Sequence, residues 1–184
     1  MSLTYSSMLE LESKLPYFNL RNVCNGNNFS SDCLDVQKPS LIMFICNHCP
    51  YVIHYHEQIK KINDNYLDSF NLVAISSNDI QNYPQDSPEK MKILWSDLKL
   101  DFPYLFDQTQ EVAKSFKAEC TPEFYIFDCN KKLRYRGRMD ETSPGSGVNP
   151  HAKDLIEAMD ALITGNNVNI NQYPSMGCNI KWSL

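Results

Sequence analysis

Apolar and polar positions alternate in ways that divide the chain into a short series of elements. Leu41, Ile42, Met43, Phe44 and Ile45 form an unbroken apolar run, and residues 70–76 form a near-continuous one. Runs of this length without alternation predict strands buried on both faces. Between them, Val52, Tyr55, Ile59, Ile62 and Tyr66 recur at three- and four-residue intervals. That spacing predicts one helix from Pro50, about four turns long. Strand, helix and strand in this order predict a right-handed crossover and hence a parallel pair. Upstream, residues 1–14 read as an arm or short helix. Residues 17–23 and 28–30 read as a hairpin around Asn25-Gly26-Asn27, with Gly26 supplying positive φ. Residues 31–36 read as one helical turn.

Downstream, residues 77–87 read as a polar loop. Ser87 then caps a helix with an apolar stripe of Met91, Leu94, Trp95 and Leu98. Residues 101–106 read as a short edge strand, and Asp107-Gln108-Thr109-Gln110 as a capping box for a helix through Lys117. Residues 120–128, opened by Pro122, and 133–138 predict an antiparallel hairpin. A last helix carries Ala152, Leu155, Ile156, Met159, Leu162 and Ile163 on one face and ends at Gly165. The order predicts an α/β fold, a central mixed sheet with helices on both faces. It forms one domain over residues 1–165, with a tail over residues 166–184 packed on it.

The 184 residues suffice for one sizeable core. A net charge of −5 without a basic block gives no sign of a nucleic-acid or anionic-membrane partner. The longest apolar run is too short to span a bilayer. Glu10, Glu12 and Lys14 interrupt the first twenty residues, so no signal peptide is expected and a cytoplasmic location is. Seven cysteines, an odd number, then point to one reactive pair among reduced thiols. Cys24, Cys33 and Cys129 read as small buried apolar side chains.

The chemistry concentrates at Phe44-Ile45-Cys46-Asn47-His48-Cys49-Pro50-Tyr51-Val52. Two sulfurs at this spacing on a helix's first turn can close a small disulfide ring. The first faces unpaired helix amides that stabilise a thiolate, the nucleophile of disulfide exchange. Pro50 suits the first turn. His48 adds a positive charge or a donor and pushes the pair toward the oxidising end; its plainer reading is a solvated turn histidine. The same cysteine spacing also makes half of a zinc site. Cys46, Cys49, His48, His54, His56 and Cys178 include donors suited to copper(I) or zinc, with His151 the only late histidine. His54 and His56, two apart on a helix, read as ordinary surface residues. No resident metal or cofactor is expected.

Leu15-Pro16-Tyr17-Phe18, Cys46 to Pro50, Val73-Ala74-Ile75-Ser76, Phe102 to Asp107, Thr121-Pro122 and Phe127-Asp128 together resemble the thioredoxin superfamily. Within it they resemble the redoxin branch that includes the alkyl hydroperoxide reductase and thiol-specific antioxidant proteins. The resemblance covers about residues 14–165. It implies that Cys46 is the exposed attacking thiolate and Cys49 the buried resolving thiol. It also implies that Thr121-Pro122 is a cis-proline turn whose backbone pairs with substrate. Cys120, two residues before Pro122, and Cys178, in the closing Pro174-Ser175-Met176-Gly177-Cys178-Asn179-Ile180-Lys181-Trp182, are possible auxiliary thiols or packing residues. Ile45 stands where thioredoxin carries tryptophan. Cys46 stands where peroxiredoxins carry the threonine ahead of a peroxidatic cysteine, and Arg134, Arg136 and Arg138 are candidates for that family's peroxide-activating arginine.

The leading expectation is a thiol-disulfide oxidoreductase of cytoplasmic redox homeostasis, cycling Cys46 and Cys49. Its partners would be a protein or small-molecule disulfide and a cellular thiol reductant, and the chain would be a monomer or homodimer. The alternatives are a peroxiredoxin-like peroxidase acting through Cys49 and, behind it, a copper- or zinc-handling protein.

Overall fold

The two apolar runs form the middle of the sheet. Every residue of Ser40–Phe44 is buried, and Asn71–Ser76 lies parallel beside it with Leu41 opposite Leu72 and Phe44 opposite Ile75. A computed structural model describes residues 3–183; Met1, Ser2 and Leu184, the ends of the expected arm and tail, lie outside the described residues. In chain order the strands are β1 (Leu3–Tyr5), β2 (Asn19–Asn22), β3 (Asn28–Ser30), β4 (Ser40–Phe44), β5 (Asn71–Ser76), β6 (Tyr104–Phe106), β7 (Cys120–Thr121), β8 (Glu123–Phe127), β9 (Leu133–Gly137) and β10 (Met176–Asn179). The helices are α1 (Pro50–His54), α2 (His56–Tyr66), α3 (Pro88–Asp97), α4 (Glu111–Ser115) and α5 (Lys153–Ile163).

The main sheet has the order β3-β2-β6-β5-β4-β8-β9, and β1-β10-β7 form a second, three-stranded sheet. The main sheet is mixed: β4 and β5 are parallel, while β4 with β8 and β8 with β9 are antiparallel. One face packs Val52, Ile59 and Ile62 with Trp95, Leu155 and Met159. The other packs Phe44 and Phe116, the residue after α4, against each other and against Tyr125 of β8, and Phe116 also meets Phe127, edge to face at 5.2–6.0 Å. Among the described residues no helix is long and apolar enough to cross a membrane.

Five expectations need correction. Residues 1–14 contain a strand, because β1 finds a partner in β10 near the far end of the chain, Leu3 opposite Cys178. The helix after Cys49 breaks at Tyr55, which leaves helical geometry at φ −101°, ψ 5°. Its buried hydroxyl lies 2.7 Å from Asp140 Oδ1 and 2.9 Å from the Thr142 carbonyl, ties that draw it toward the residues ahead of α5. Residues 104–106 are not at an edge, since β2 pairs with the outer side of β6 and buries all three. The capping box is absent: Gln110 sits at φ 64° without capping α4, and buried Asp107 accepts from the Ala113 amide at 2.9 Å instead. Lastly, Cys33 and Cys129 are exposed and Cys24 is only half-buried.

Candidate active site

The thiol turn lies at the carboxyl end of β4, where the loops of neighbouring parallel strands share one crevice. The Ile45 amide still bonds to the Ile75 carbonyl at 3.0 Å, and the chain then turns so that Cys49 is the N-cap of α1 and Pro50 its first residue. Proline is favoured there because its missing N–H would have no helical partner. Cys46 is 1% exposed and Cys49 wholly buried, so Cys46 is not the exposed thiol that the resemblance implied. The hydrophobic core closes over both sulfurs.

Asp86 pins the two residues between the cysteines. Its carboxylate is wholly buried and accepts from the Asn47 amide at 2.8 Å, from Asn78 Nδ2 at 2.8 Å, and from His48 Nδ1 at 2.6 Å. The His48 ring stacks on Tyr83 at 5.5 Å, and its Nε2 is buried without a hydrogen-bond partner among the described residues. His48 is therefore a held side chain, not a solvated one. Asn47 is held twice more, donating to the Gln85 carbonyl at 3.0 Å and accepting from Tyr104 at 3.3 Å. The pattern of residues 77–87 shows only a polar loop. Its position after β5, at the same sheet end as the thiol turn, is the signal that could have exposed Asp86.

Thr121 faces both sulfurs, and its peptide bond to Pro122 is cis. Cys46 Sγ lies 3.4 Å from Thr121 Oγ1, and Cys49 Sγ lies 3.1 Å from the Thr121 carbonyl. Cys178 stands opposite Thr121 in the β10–β7 ladder, and its side chain and amide both hydrogen-bond Cys49. A cleft of about 270 Å³ opens beside Pro122, lined in part by Tyr5, Arg138, Glu141, Tyr173 and Met176.

Cys46 and Cys49 share a hydrogen bond, so the first proton lost belongs to the pair. Donation from Cys46 draws Cys49 down to about 5 against the pull of burial, helped by the Cys178 side chain and by the Cys178 and Val52 amides. Donating to Cys49, burial and the Asp86 charge hold Cys46 well above 9.0. Thr121 acts in the opposite sense. Its carbonyl beside Cys49 can only accept, which demands a proton on that sulfur, whereas its hydroxyl can donate to an anion on Cys46. The two arrangements differ by one proton moved along the shared bond; Cys178 favours the anion on Cys49 and Thr121 favours it on Cys46.

The remaining candidates separate. Cys120 is buried with its sulfur 3.9 Å from Glu123 Oε2, and burial followed by the Glu123 charge raises it strongly, so it stays a thiol. Cys46, His48 and Asp86 each place a donor within 4.8 Å of the others, a set that could hold zinc, but both Asp86 oxygens already accept hydrogen bonds. His54 instead meets Thr142 Oγ1 at 2.9 Å, and His56 is half-buried. None of the three arginines meets a thiol through its guanidinium. Arg134 pairs with Asp128 and Glu12, Arg136 with the Leu9 carbonyl and Gln172, and Arg138 with Asp154.

The sequence model of the Redoxin family matches residues 10–155. The structure is similar to that of an uncharacterized conserved protein from Geobacillus kaustophilus, with 43% identity, a TM-score of 0.96, and coverage of 100% of this chain and 97% of that one. It is also similar to a thioredoxin-like protein solved in its oxidised form, with 24% identity, a TM-score of 0.57, and coverage of 73% of this chain and 83% of that one. A thiol-disulfide oxidoreductase of Bacillus subtilis (strain 168), YkuV, is 27% identical over 103 residues. That match covers 54% of this chain and 66% of the relative's own length.

Proposed function

The chain belongs to the redoxin family, on a thioredoxin-like fold, and from that premise we propose that it is a thiol-disulfide oxidoreductase whose Cys46 and Cys49 cycle between dithiol and disulfide. One observation carries the reading: two buried cysteine sulfurs at a helix N-cap, one against the hydroxyl and the other against the carbonyl of Thr121. Two sulfurs held against one residue can close a disulfide as two electrons and two protons leave, and the lowered Cys49 supplies a thiolate.

In the reductive direction, the anion moves to Cys46 when the shared proton passes to Cys49, the arrangement that Thr121 favours. Cys46 attacks one sulfur of a substrate disulfide, a mixed disulfide forms, and the second substrate sulfur leaves as a thiolate. Cys49 then attacks Cys46, releasing the first substrate sulfur and closing the Cys46–Cys49 bond. Two cellular thiols, or one dithiol, return the two electrons and are themselves left as a disulfide. Because both cysteines are almost wholly buried, a small-molecule disulfide or an extended peptide fits better than the face of a folded protein. Cys46→Ser should lower steady-state turnover of glutathione disulfide by at least about 100-fold, the low end for a lost catalytic group, although the two other thiols can still be oxidised once and slowly. Full retained activity would sink the reading.

The anion on Cys49 favours a second reading, a thiol peroxidase. Peroxide would oxidise Cys49 to a sulfenate, and the Cys46 thiol would displace hydroxide from it, which leaves as water, to form the same disulfide. Stopped-flow mixing with hydrogen peroxide tests this: a rate no faster than that of free cysteine removes the reading. A fast reaction, with a dimedone adduct on Cys49 in Cys46→Ser, establishes it.

A further inference from the structure

The third sulfur at the site comes from the end of the chain. β10 lies between β1 and β7, and its register sets Leu3 opposite Cys178 on one side and Thr121 opposite Cys178 on the other. The fit is tight, because a Cβ on Gly177 would lie 2.0 Å from the Thr121 carbonyl oxygen. Only glycine lets the strand approach so closely. Cys46 meets the hydroxyl of Thr121, Cys49 meets its carbonyl, and Cys178 is its ladder partner. Three sulfurs thus converge on one residue. All three lie in the same buried cluster, Cys178 at 5% exposure, and the side chains of Cys49 and Cys178 are hydrogen-bonded to each other.

We propose that Cys178 is the third sulfur of the redox centre and takes over the disulfide from the Cys46–Cys49 pair, forming a Cys49–Cys178 bond that frees Cys46. The proposal rests on the oxidoreductase reading and extends it. In the step, Cys178 Sγ attacks Cys49 Sγ of the Cys46–Cys49 disulfide. The Cys49–Cys178 bond forms, the Cys46–Cys49 bond breaks, and Cys46 leaves as a thiolate that takes up the proton Cys178 gave away. One disulfide and one thiol stand on each side, so nothing is oxidised or reduced overall and no further reagent is needed.

The surroundings time the step. In the reduced protein, burial first, then the bond to Cys49 and the charge on Cys49, push Cys178 up to about 12 and keep it a thiol, while Lys181 pulls the other way. Oxidation of the pair removes the Cys49 charge and leaves Lys181 in place. Cys178 becomes easier to ionise when its target disulfide exists. The exchange then leaves Cys46 reduced and free to attack a second disulfide, while the thiol that restores the protein attacks the Cys49–Cys178 bond.

The test maps disulfides. Reduced wild type and the Cys46→Ser, Cys178→Ser and doubly substituted chains are treated with glutathione disulfide, quenched in acid, alkylated and mapped by peptide mass. In most Cys46→Ser chains, with native circular dichroism, an intramolecular Cys49–Cys178 peptide is expected. Wild type should give both that peptide and Cys46–Cys49, Cys178→Ser should give Cys46–Cys49 alone, and the double variant should give neither. Cys49 found free or joined to glutathione in folded Cys46→Ser, with Cys178 free, overturns the proposal. Were Cys46→Ser to misfold, the wild-type map decides: Cys46–Cys49 without any Cys49–Cys178 rejects the third sulfur and leaves the oxidoreductase reading standing. Absence of both bonds rejects the two together.

Discussion

Asp140, ahead of α5, and Glu123, on β8 just past the thiols, are both almost fully buried, at 2% and 1% exposure, yet their carboxyls shift in opposite directions. Burial raises both. At Asp140 it is more than offset by Thr142, the His151 amide, Tyr55 and the Ala152 amide, and the group settles at about 2. At Glu123 burial wins over the Tyr125 hydroxyl and the Glu119 and Cys120 amides, and the group rises to about 7. Glu123's carboxyl lies deeper, and its donors are fewer and longer. The Asp140 donors lie at 2.6–2.8 Å, whereas the Glu123 donors lie at 2.6, 3.0 and 3.5 Å. Burial alone does not fix a carboxylate's charge; the number and closeness of its donors do. One corner is a permanent anion that ties the α1–α2 break to the start of α5. The other titrates near neutrality beside Cys120 and one residue past Pro122.

The largest effect should come from Asp140→Ala, which removes the acceptor of the Thr142 hydroxyl and of the Thr142, His151 and Ala152 amides and leaves the Tyr55 hydroxyl only the Thr142 carbonyl. A loss of about 3–5 kcal/mol in urea unfolding is expected, the scale for removing one partner of a buried charged network. A loss under about 1 kcal/mol would break the comparison. The pH response has a definite sign. Asp140 is depressed in the folded state, so its contribution is present above the unfolded value of 3.8 and disappears as pH falls through about 2.

Glu123→Gln should act in the opposite sense and less strongly. The folded-state value is raised, so the protonated acid's contribution is complete below 4.5 and is lost as pH rises through about 7. Wild type should lose stability over that window relative to the glutamine variant, by at most about 3 kcal/mol at roughly 1.4 kcal/mol per pH unit. Paired denaturation curves at pH 4.5 and pH 8 measure this difference. Equal stability gaps at the two pH values would show that Glu123 does not titrate there.

Much of the scaffold behind these corners was legible because its signal is local. Residues 41–45 are apolar on consecutive positions and residues 70–76 nearly so, which marks β4 and β5, and the three-four spacing from Val52 to Tyr66 placed the helical stretch. What was missed depends on distant partners. Met176-Gly177-Cys178-Asn179 has no alternation and is a strand only because β1 and β7 flank it, the first more than 170 residues away. The 101–106 segment was misplaced for the same reason, since nothing within it shows that β2 will cover it. At the site, the cysteine pair with His48, and Thr121-Pro122, stand out as motifs. Asp86 does not, because a buried carboxylate amid Gln85 and Ser87 reads as solvated loop until its donors from Asn47, His48 and Asn78 are seen.

Asp86 is a further buried carboxylate and the one beside Cys46, so its replacement gives the smallest but most specific effect. The Asp86 charge is one of the causes that raise Cys46, after the hydrogen bond to Cys49 and burial. Asp86→Asn keeps a side-chain oxygen for one of the three donors and removes the charge. Alkylation of Cys46 by iodoacetamide should therefore move to lower pH, by under about one pH unit, because the loss of a neighbouring like charge favours the thiolate. Stability should fall by about 1–2 kcal/mol through the hydrogen bonds that asparagine cannot accept. A lower stability with an unmoved alkylation profile would mean that Asp86 only anchors the loop, as Asp140 anchors its own corner. A shifted profile would mean that it also sets which sulfur of the pair keeps the proton.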